Sequence, residues 1–274
     1  MDRRRTPMKR VQLFEFEDLP WFPHTVRASM TRMLSMLHRW VNSPQHITTI
    51  LADVVRISGR RQILDLCSGD GGLMTEVHKR LLEMEDIHDV SLVLTDLYPN
   101  AQAREKVMAE GGELLQYREE SVDATCFRDT SGQLIRTLIC GFHHMRPEQA
   151  KAILVQAMKV GDPILIYEIS DNSFPPKHLW WLGLPLNLMF AIAVAALVRP
   201  MTLTHFFLSF VVPIVPICFA WDGAVSNART YTRSDLNELL SETAGQDYVW
   251  TIRTIDAMPA KHICLIGMPK AAMI

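Results

Sequence analysis

Short apolar runs and amphipathic stretches alternate along most of the chain. The apolar runs stop abruptly at Gly, Asp or Ser, which predicts strands at Gln62–Leu66, Val90–Leu94, Ile135–Cys140 and Pro163–Ile169, with a further strand ending near 122–124. Helices are predicted between them at Leu73–Met84, Ala101–Glu110 and Pro147–Val160. This alternation indicates an α/β fold with a doubly wound, mostly parallel sheet.

The same pattern extends to both sides of this region. Residues 11–42 form an N-terminal helical region, because Val26, Met30, Met33 and Leu37 recur at helical spacing. Towards the other end, a helix is predicted at Thr232–Thr243 and strands at Tyr248–Ile255 and His262–Gly267. The two closing strands bring the predicted sheet to seven strands.

Two long stretches without formal charge interrupt the pattern. They run from His178 to Val198 and from Pro200 to Trp221, with Arg199-Pro200 as the turn between them. Each is long enough to cross a hydrocarbon core of about 30 Å as a helix. Prolines in both stretches favour a re-entrant hairpin or a soluble helical lid over two straight spans. Because the chain must return to the sheet, both ends of the insertion lie on one side of any bilayer.

These patterns divide the chain into four segments. They are an N-terminal tail and helical cap (1–54), a core (55–172), an apolar helical hairpin (173–221) and the closing helix and strands of the core (222–274). Lys177, Arg229 and Arg233 flank the hairpin, which favours a cytoplasmic location, on the cytoplasmic face of a membrane if the hairpin enters one.

Composition narrows the class of protein. Of the 274 residues 48% are hydrophobic and 21% charged, which excludes a disordered chain and a polytopic membrane protein. The formal net charge of −2 provides no basic field for nucleic acid. Five widely spaced cysteines without a C-x-x-C pair argue against a disulfide framework and a zinc site, and we expect no metal. The acidic residues near the N-terminus leave no apolar region for a signal peptide.

The candidate chemistry begins directly after the first strand. Asp65-Leu-Cys-Ser-Gly69-Asp-Gly71-Gly72 connects that strand to a helix, and glycines there let the backbone turn tightly and approach a ligand. Asp96 ends the next strand, where a carboxylate can accept both hydroxyls of a ribose. Met74 stands where the dinucleotide fingerprint has its third glycine, which disfavours a dehydrogenase.

With Ser121-Val-Asp123-Ala124 and Phe142-His143-His144, these motifs resemble the class I S-adenosylmethionine-dependent methyltransferases over about residues 55–172. The resemblance implies a Rossmann-like fold and S-adenosyl-L-methionine as cofactor. It implies that Asp65 faces the methionine ammonium and that Cys67, Gly69 and Gly71 lie along the cofactor. It also implies that Asp96 binds the ribose, Leu97 packs on the adenine, and Asp123 with Ala124 lies at its exocyclic amine.

The family has no universal catalytic residue, so the candidates follow from the chemistry of methyl transfer. Where the acceptor must lose a proton, His143 and His144 are the best candidate bases, because an imidazole titrates near neutrality. Glu168 and Asp222 are further candidates. The structural alternatives are that the histidines fill a loop, that Glu168 binds loop amides and that Asp222 caps a helix.

We therefore expect a methyltransferase for a hydrophobic or lipid-like small molecule, with possible membrane contact through 178–221. The hairpin could instead form a substrate tunnel or a homodimer contact. Two other functions stay open: a non-catalytic membrane-tethered scaffold on the same fold, and an S-adenosylmethionine-using enzyme whose step, such as a cyclisation, transfers no methyl group.

Overall fold

A computed structural model describes residues 8–127, 132–241, 247–258 and 260–273. Seven strands form one sheet in the order β3-β2-β1-β4-β5-β7-β6. Strands β1 to β5 are parallel, and β7 is antiparallel to both β5 and β6. Their bounds are β1 Gln62–Leu66, β2 Ser91–Thr95, β3 Leu115–Tyr117, β4 Leu134–Ile139, β5 Ile164–Glu168, β6 Tyr248–Ile255 and β7 His262–Pro269. The predicted doubly wound, mostly parallel seven-stranded sheet is confirmed.

Nine α-helices lie in the part of the chain that the structure describes. They are α1 His24–Trp40, α2 Ser43–Ser58, α3 Gly72–Leu82, α4 Ala101–Gly111, α5 Pro147–Val160, α6 Leu184–Leu197, α7 Leu203–Phe206, α8 Ile214–Arg229 and α9 Arg233–Ser241. A 3₁₀ helix at Lys177–Gly183 runs directly into α6, and a π-helical segment at Phe207–Val211 follows α7.

One strand prediction was wrong. The third strand ends at Tyr117 and not near 122–124, where the chain turns instead. The Asp123 carboxylate accepts hydrogen bonds from both the backbone N–H and the hydroxyl of Thr125, and this local turn competes with strand pairing. The second helix, α2, was not predicted, and it fills the interval between α1 and β1.

The chain forms two compact units. One contains His38–Ile169 and Leu239–Ile274, and therefore the whole sheet. Its core joins α2, α3 and α4 to β1 and β2 through buried side chains that include Leu51, Val77, Leu92 and Val107. We call this the sheet unit.

The other unit, here the hairpin unit, contains the residues up to Leu37 and Ser170–Glu238. It has a core of its own, in which Val26, Met30 and Met33 of α1 pack with Val194 of α6 and Val215 of α8. The predicted insertion 173–221 thus belongs to one compact unit with part of the predicted N-terminal cap.

The hairpin unit contains one helical stretch long and apolar enough to cross a membrane, Lys177–Leu197. A second candidate consists of two helical pieces, Leu203–Val211 and Ile214–Arg229, which are bent by 75° at the break between them. Of the described residues, these stretches alone meet the criteria for a span.

Candidate functional site

The loop between β1 and α3 has an unusual backbone. Cys67, Gly69 and Gly71 all adopt positive φ, at 61°, 57° and 68°. Glycine tolerates this region without cost, whereas Cys67 does so at about 1 kcal/mol. Three left-handed residues within five positions turn the chain sharply from the end of β1 into the start of α3.

The two glycines with positive φ differ in their surroundings. A Cβ on Gly71 would lie 2.6 Å from Leu94 Cδ1 and 3.2 Å from Val107 Cγ2, so this glycine is needed for packing. A Cβ on Gly69 would meet nothing within 4 Å. The backbone at Gly69 is thus open to a ligand that must come close to it.

Asp65 lies buried at the end of β1. Strand register places it beside Thr137 of β4, and its carboxylate accepts hydrogen bonds from the Thr137 hydroxyl at 2.5 Å and the Ser68 hydroxyl at 2.7 Å. Burial raises the pKa of this carboxyl to about 7, because desolvation outweighs both hydrogen bonds. No cation in the described part of the chain donates a hydrogen bond to this buried carboxylate, which suits it to receive an ammonium group.

Asp96 lies at the end of β2, beside the glycine loop. Its Oδ2 accepts the Gly69 N–H at 2.8 Å, and its Oδ1 accepts the Tyr98 N–H at 2.8 Å. Leu97 follows with 41% of its surface exposed. Open space at Gly69, a carboxylate and an exposed apolar side chain therefore adjoin one another at the carboxyl ends of β1 and β2.

Asp123 and Ala124 belong to the turn that replaces the predicted strand end. The Val122 N–H donates to the Asp96 carbonyl oxygen at 2.9 Å, which ties this turn to the end of β2. Asp123 is exposed, and its hydrogen bond from the Thr125 hydroxyl lowers the pKa of its carboxyl. Ala124 is buried. The structure thus brings all the predicted cofactor-binding residues to one end of the sheet.

His143 and Glu168 form a buried pair beyond β4 and β5. Glu168 Oε2 lies 2.8 Å from His143 Nδ1, and Glu168 Oε1 accepts the His143 backbone N–H at 3.0 Å. The carboxylate therefore fixes both the position and the ring orientation of the histidine. In the neutral tautomer whose Nδ1 donates to Glu168, Nε2 carries the ring's lone pair. The ring of His144 lies 4.2 Å from that of His143, centroid to centroid.

Asp222 lies in the hairpin unit, on α8. Its two carboxylate oxygens accept backbone N–H bonds from Phe16 at 2.7 Å and Glu17 at 3.2 Å, at the start of a 3₁₀ helix. Burial raises the pKa of this carboxyl to about 7. These contacts favour the structural alternative, in which Asp222 caps a helix.

Several residues of the site had no predicted role. Thr137 and Ser68 hold Asp65, and the Tyr117 hydroxyl donates to the Gly69 carbonyl oxygen at 2.7 Å. Of these three residues, only Ser68 gave a local signal, its hydroxyl within the glycine motif. Cys67 did have a predicted role, along the cofactor; burial and nearby carboxylates raise the pKa of its thiol to about 12, so it stays protonated.

A second polar cluster was missed entirely, and it lies on the end of α1, α2, β5 and β7. The Tyr167 hydroxyl is 2.6 Å from His262 Nδ1, and His38 Nδ1 is 3.2 Å from the Ser43 hydroxyl. Burial lowers the pKa of both His38 and His262 to about 4, so both rings are neutral.

No protein-family model matches the sequence, and no curated protein matches it. Solved structures do. An O-methyltransferase family protein from Burkholderia thailandensis is 16% identical over 90% of this chain and 60% of its own, with a TM-score of 0.50. A putative O-methyltransferase from Nostoc punctiforme is 13% identical over 91% of this chain and 61% of its own, also with a TM-score of 0.50.

The plantazolicin methyltransferase BpumL, solved in complex with SAH, is 10% identical over 89% of this chain and 94% of its own, with a TM-score of 0.54. The chain spans about three fifths of the length of the two O-methyltransferase structures and nearly all of BpumL. At these identities the likeness is one of fold. The chain has the fold of the class I S-adenosylmethionine-dependent methyltransferases.

Proposed function

We propose that the chain is an S-adenosylmethionine-dependent methyltransferase for a hydrophobic or lipid-like acceptor. The observation that carries the proposal is the grouping of buried Asp65, open Gly69 and Asp96 at the carboxyl ends of β1 and β2. In a doubly wound sheet this is where ligands bind, beside the switch point between β1 and β4.

The residues present fit the cofactor. Asp65 offers a buried carboxylate to an ammonium group, and the empty space at Gly69 accommodates a close ligand. Asp96 offers a carboxylate to ribose hydroxyls, Leu97 and Ala124 offer apolar contacts to a purine, and Asp123 offers an acceptor to its amine. When bound, the cofactor supplies a methyl group activated by a sulfonium.

His143 is the proposed general base. A proton lost by the acceptor is transferred to His143 Nε2, while the Glu168 carboxylate at 2.8 Å holds Nδ1 and stabilises the protonated ring. The two hydrogen bonds from His143 to Glu168 fix this geometry before any ligand arrives. His144, beside His143, is a candidate contact to the acceptor.

The hydrophobic acceptor and a membrane contact are supported by the hairpin unit. Large apolar side chains are exposed along residues 181–217, where a protein surrounded by water alone would expose polar ones. We propose contact with a membrane through 178–221, on its cytoplasmic face, with the acceptor drawn from the lipid phase.

Calorimetric titration with S-adenosylhomocysteine tests the cofactor site. We expect one site per chain, and a loss of affinity of roughly tenfold or more in Asp96→Ala, because a charged acceptor of two hydroxyls is removed. Glu120→Ala, which removes an exposed carboxylate in the same region, is the matched control and leaves the affinity unchanged. No binding by the native protein would refute the proposal and favour a non-catalytic scaffold.

Lipid extracts incubated with methyl-labelled cofactor test the reaction. We expect a product heavier by one methyl group, and a fall in kcat of about 10²- to 10⁴-fold in His143→Gln with unchanged affinity for S-adenosylhomocysteine. A product without added methyl would instead establish a non-methylating use of the cofactor. A His143→Gln variant with native kcat would remove His143 from the chemistry.

A further inference from the structure

Polarity is inverted along the hairpin unit's helices. On α6 the exposed positions carry Leu186 and Met189, at 70% and 69% exposure, and Leu203 in α7 reaches 89%. In the next turns His205 and Ser209 are buried, while the intervening phenylalanines are exposed. An apolar exterior over buried polar groups is the arrangement expected where hydrocarbon, and not water, is the surrounding solvent.

The exposed large apolar side chains of residues 181–217 are here called the apolar face, and Leu186, Met189, Ile192, Leu203, Phe207 and Ile217 represent it. In sequence, Arg199 is the sole charged residue from His178 to Trp221. Its guanidinium donates to the carbonyl oxygens of Ala196 and Val198 and so lies at the carboxyl end of α6. The face is therefore free of charge except at the turn of the hairpin.

The buried side of α6 packs against α8 and against part of α1. Helices α1 and α6 share a buried cluster that includes Met30, Met33, Val194 and Val198. In the middle of α1, Arg32 donates a hydrogen bond to the Pro200 carbonyl oxygen in the hairpin turn.

At the near end of α1, a chain of aromatic contacts leads back to the start of the apolar stretch. Phe22, just before α1, lies against Phe16, Phe16 lies against Trp221, and Trp221 lies against Trp180. The shared cluster from Val26 to Met33 and the hydrogen bond of Arg32 therefore tie the first half of α1 to the buried side of the hairpin.

Helix α1 cannot face hydrocarbon with its outer side. That side carries Thr25, Thr31, Arg32 and Ser35, whose positions are exposed or half-exposed. If α6 crossed a bilayer, the first half of α1, which shares its buried cluster, would enter the bilayer too and would bring the cation of Arg32 with it, at a cost of several kcal/mol. Only the apolar face, on the other side of α6, can contact lipid without that cost.

Helix α8 also argues against a crossing of the bilayer. Its carboxyl-terminal part carries Arg229, which forms a buried ion pair with Glu15 at 2.9 Å and a second pair with Asp18 at 2.8 Å. The 75° bend before α8 also keeps the preceding helical piece from continuing its direction. The apolar part of α8, residues 214–221, rises only about 12 Å, less than half of a hydrocarbon core.

We propose that the hairpin unit inserts its apolar face into one leaflet of a phospholipid bilayer and does not cross it. The inference rests on the proposed function and specifies how the membrane contact is made. Each large side chain of the face that moves from water into hydrocarbon contributes about 1 kcal/mol, so some ten of them suffice for stable attachment.

Flotation of the full-length protein with phosphatidylcholine vesicles tests the contact. We expect the native protein to float with the vesicles and the double variant Leu186→Lys/Met189→Lys to lose at least tenfold in bound fraction. The matched control, Thr25→Lys/Ala28→Lys, places the same charges on the outer side of α1 and floats like the native protein. Equal flotation of both double variants, or none of the native protein, would overturn the proposal.

Thiol labelling distinguishes one leaflet from two. In a Cys126→Ser background, which removes the exposed native cysteine, Met201→Cys places a thiol at the hairpin turn. With the protein added outside preformed vesicles, a membrane-impermeant maleimide trapped inside the vesicles should leave this thiol unlabelled until detergent mixes the two. Labelling by the trapped maleimide before detergent is added would show that the turn has crossed the bilayer and would overturn the proposal.

Two measurements separate this inference from its alternatives. Both double lysine variants should bind S-adenosylhomocysteine with native affinity, which would show that their sheet unit is intact. If the native protein binds S-adenosylhomocysteine but does not float, the membrane contact alone is rejected and the proposed cofactor site is not. Light scattering in the absence of lipid tests whether a second copy of the chain covers the apolar face. A native dimer that Leu186→Lys/Met189→Lys converts to a monomer, together with no flotation, would assign the apolar face to a homodimer and overturn the proposal.

Discussion

Asp65 is the residue in which stability and proposed function conflict most directly. Its carboxylate is buried at 1% exposure and receives two neutral hydroxyls, yet no cation among the described residues donates a hydrogen bond to it. Burial raises its pKa to about 7, so its ionised form costs free energy in the folded protein. The ammonium group of a ligand would offset that cost by pairing with the carboxylate, and the offset would favour ligand binding.

Asp65→Asn is therefore expected to stabilise the ligand-free protein at high pH. Because the folded pKa is raised, the native protein loses stability as pH rises from about 4 to about 7, and asparagine does not titrate. The variant's free energy of unfolding, relative to the native value, should increase by about 2–3 kcal/mol between pH 5 and pH 8. Urea unfolding at the two pH values measures it, and an equal difference at both would contradict it.

The same ionisation predicts proton release on binding. If the cofactor's ammonium pairs with the Asp65 carboxylate, binding at pH 7 should release about half a proton per chain, and affinity should fall below pH 7. Titration calorimetry in buffers of different ionisation enthalpy measures the release. Asp65→Asn should bind more weakly without releasing this proton, whereas release that persists in the variant would exclude Asp65 as its source.

At the scale of elements, the sequence predicts what is local. The predicted strands β1, β2, β4 and β5 lie within about a residue of their observed bounds, because each is a short buried run that ends at a turn. Helix α2 was missed although Ile47, Leu51 and Val54 have helical spacing and Pro44 occupies its first turn. The predicted end of the third strand was wrong because the side chain of Asp123 forms a turn.

What the sequence could not predict depends on register and long-range contact. Thr137 reaches Asp65 because β1 and β4, which are 72 residues apart at this point, pair in parallel. The two amides that bind Asp222 lie more than 200 residues before it in the chain. The grouping of Asp65, Gly69 and Asp96 was predictable, since parallel strands end at one edge of the sheet.

The glycine loop offers a matched pair of substitutions. Gly71→Ala should destabilise the protein by about 2 kcal/mol or more, because a positive φ and a 2.6 Å approach to Leu94 both oppose a Cβ. Gly69→Ala should cost only about 1 kcal/mol in stability but weaken S-adenosylhomocysteine binding at least tenfold. Thermal unfolding and calorimetry of both variants measure these effects, and weakened binding only in Gly71→Ala would contradict the assignment of the open space.

At the other end of the strands, Asp162 joins two cations. Its carboxylate pairs with Arg60 at 2.8 Å and with Arg136 at 2.8 Å, and both it and Arg136 are almost fully buried. Asp162→Asn should destabilise the protein by about 3 kcal/mol, because two guanidinium groups lose their counter-ion. Chemical unfolding measures this, and S-adenosylhomocysteine affinity below the unfolding transition should stay native.

At the scale of the whole molecule, two kinds of surface share one chain. The sheet unit carries the predicted cofactor site. The hairpin unit carries the dense run of exposed large apolar side chains at residues 181–217. Composition alone reports 48% hydrophobic residues and a net charge of −2. Only the structure shows which of those residues face outward, because a buried apolar helix and a lipid-facing one have the same composition.

This distribution predicts how membrane attachment responds to salt. With a net charge of −2 and an uncharged apolar face, the proposed attachment should depend on apolar area and not on attraction to anionic lipid. Raising NaCl from about 0.1 M to about 1 M shortens the screening length from about 10 Å to about 3 Å. The fraction floating with phosphatidylcholine vesicles should change less than twofold, and added phosphatidylglycerol should raise it little. Release by salt, or binding only to anionic vesicles, would assign attachment to the basic residues and remove the apolar face as its cause.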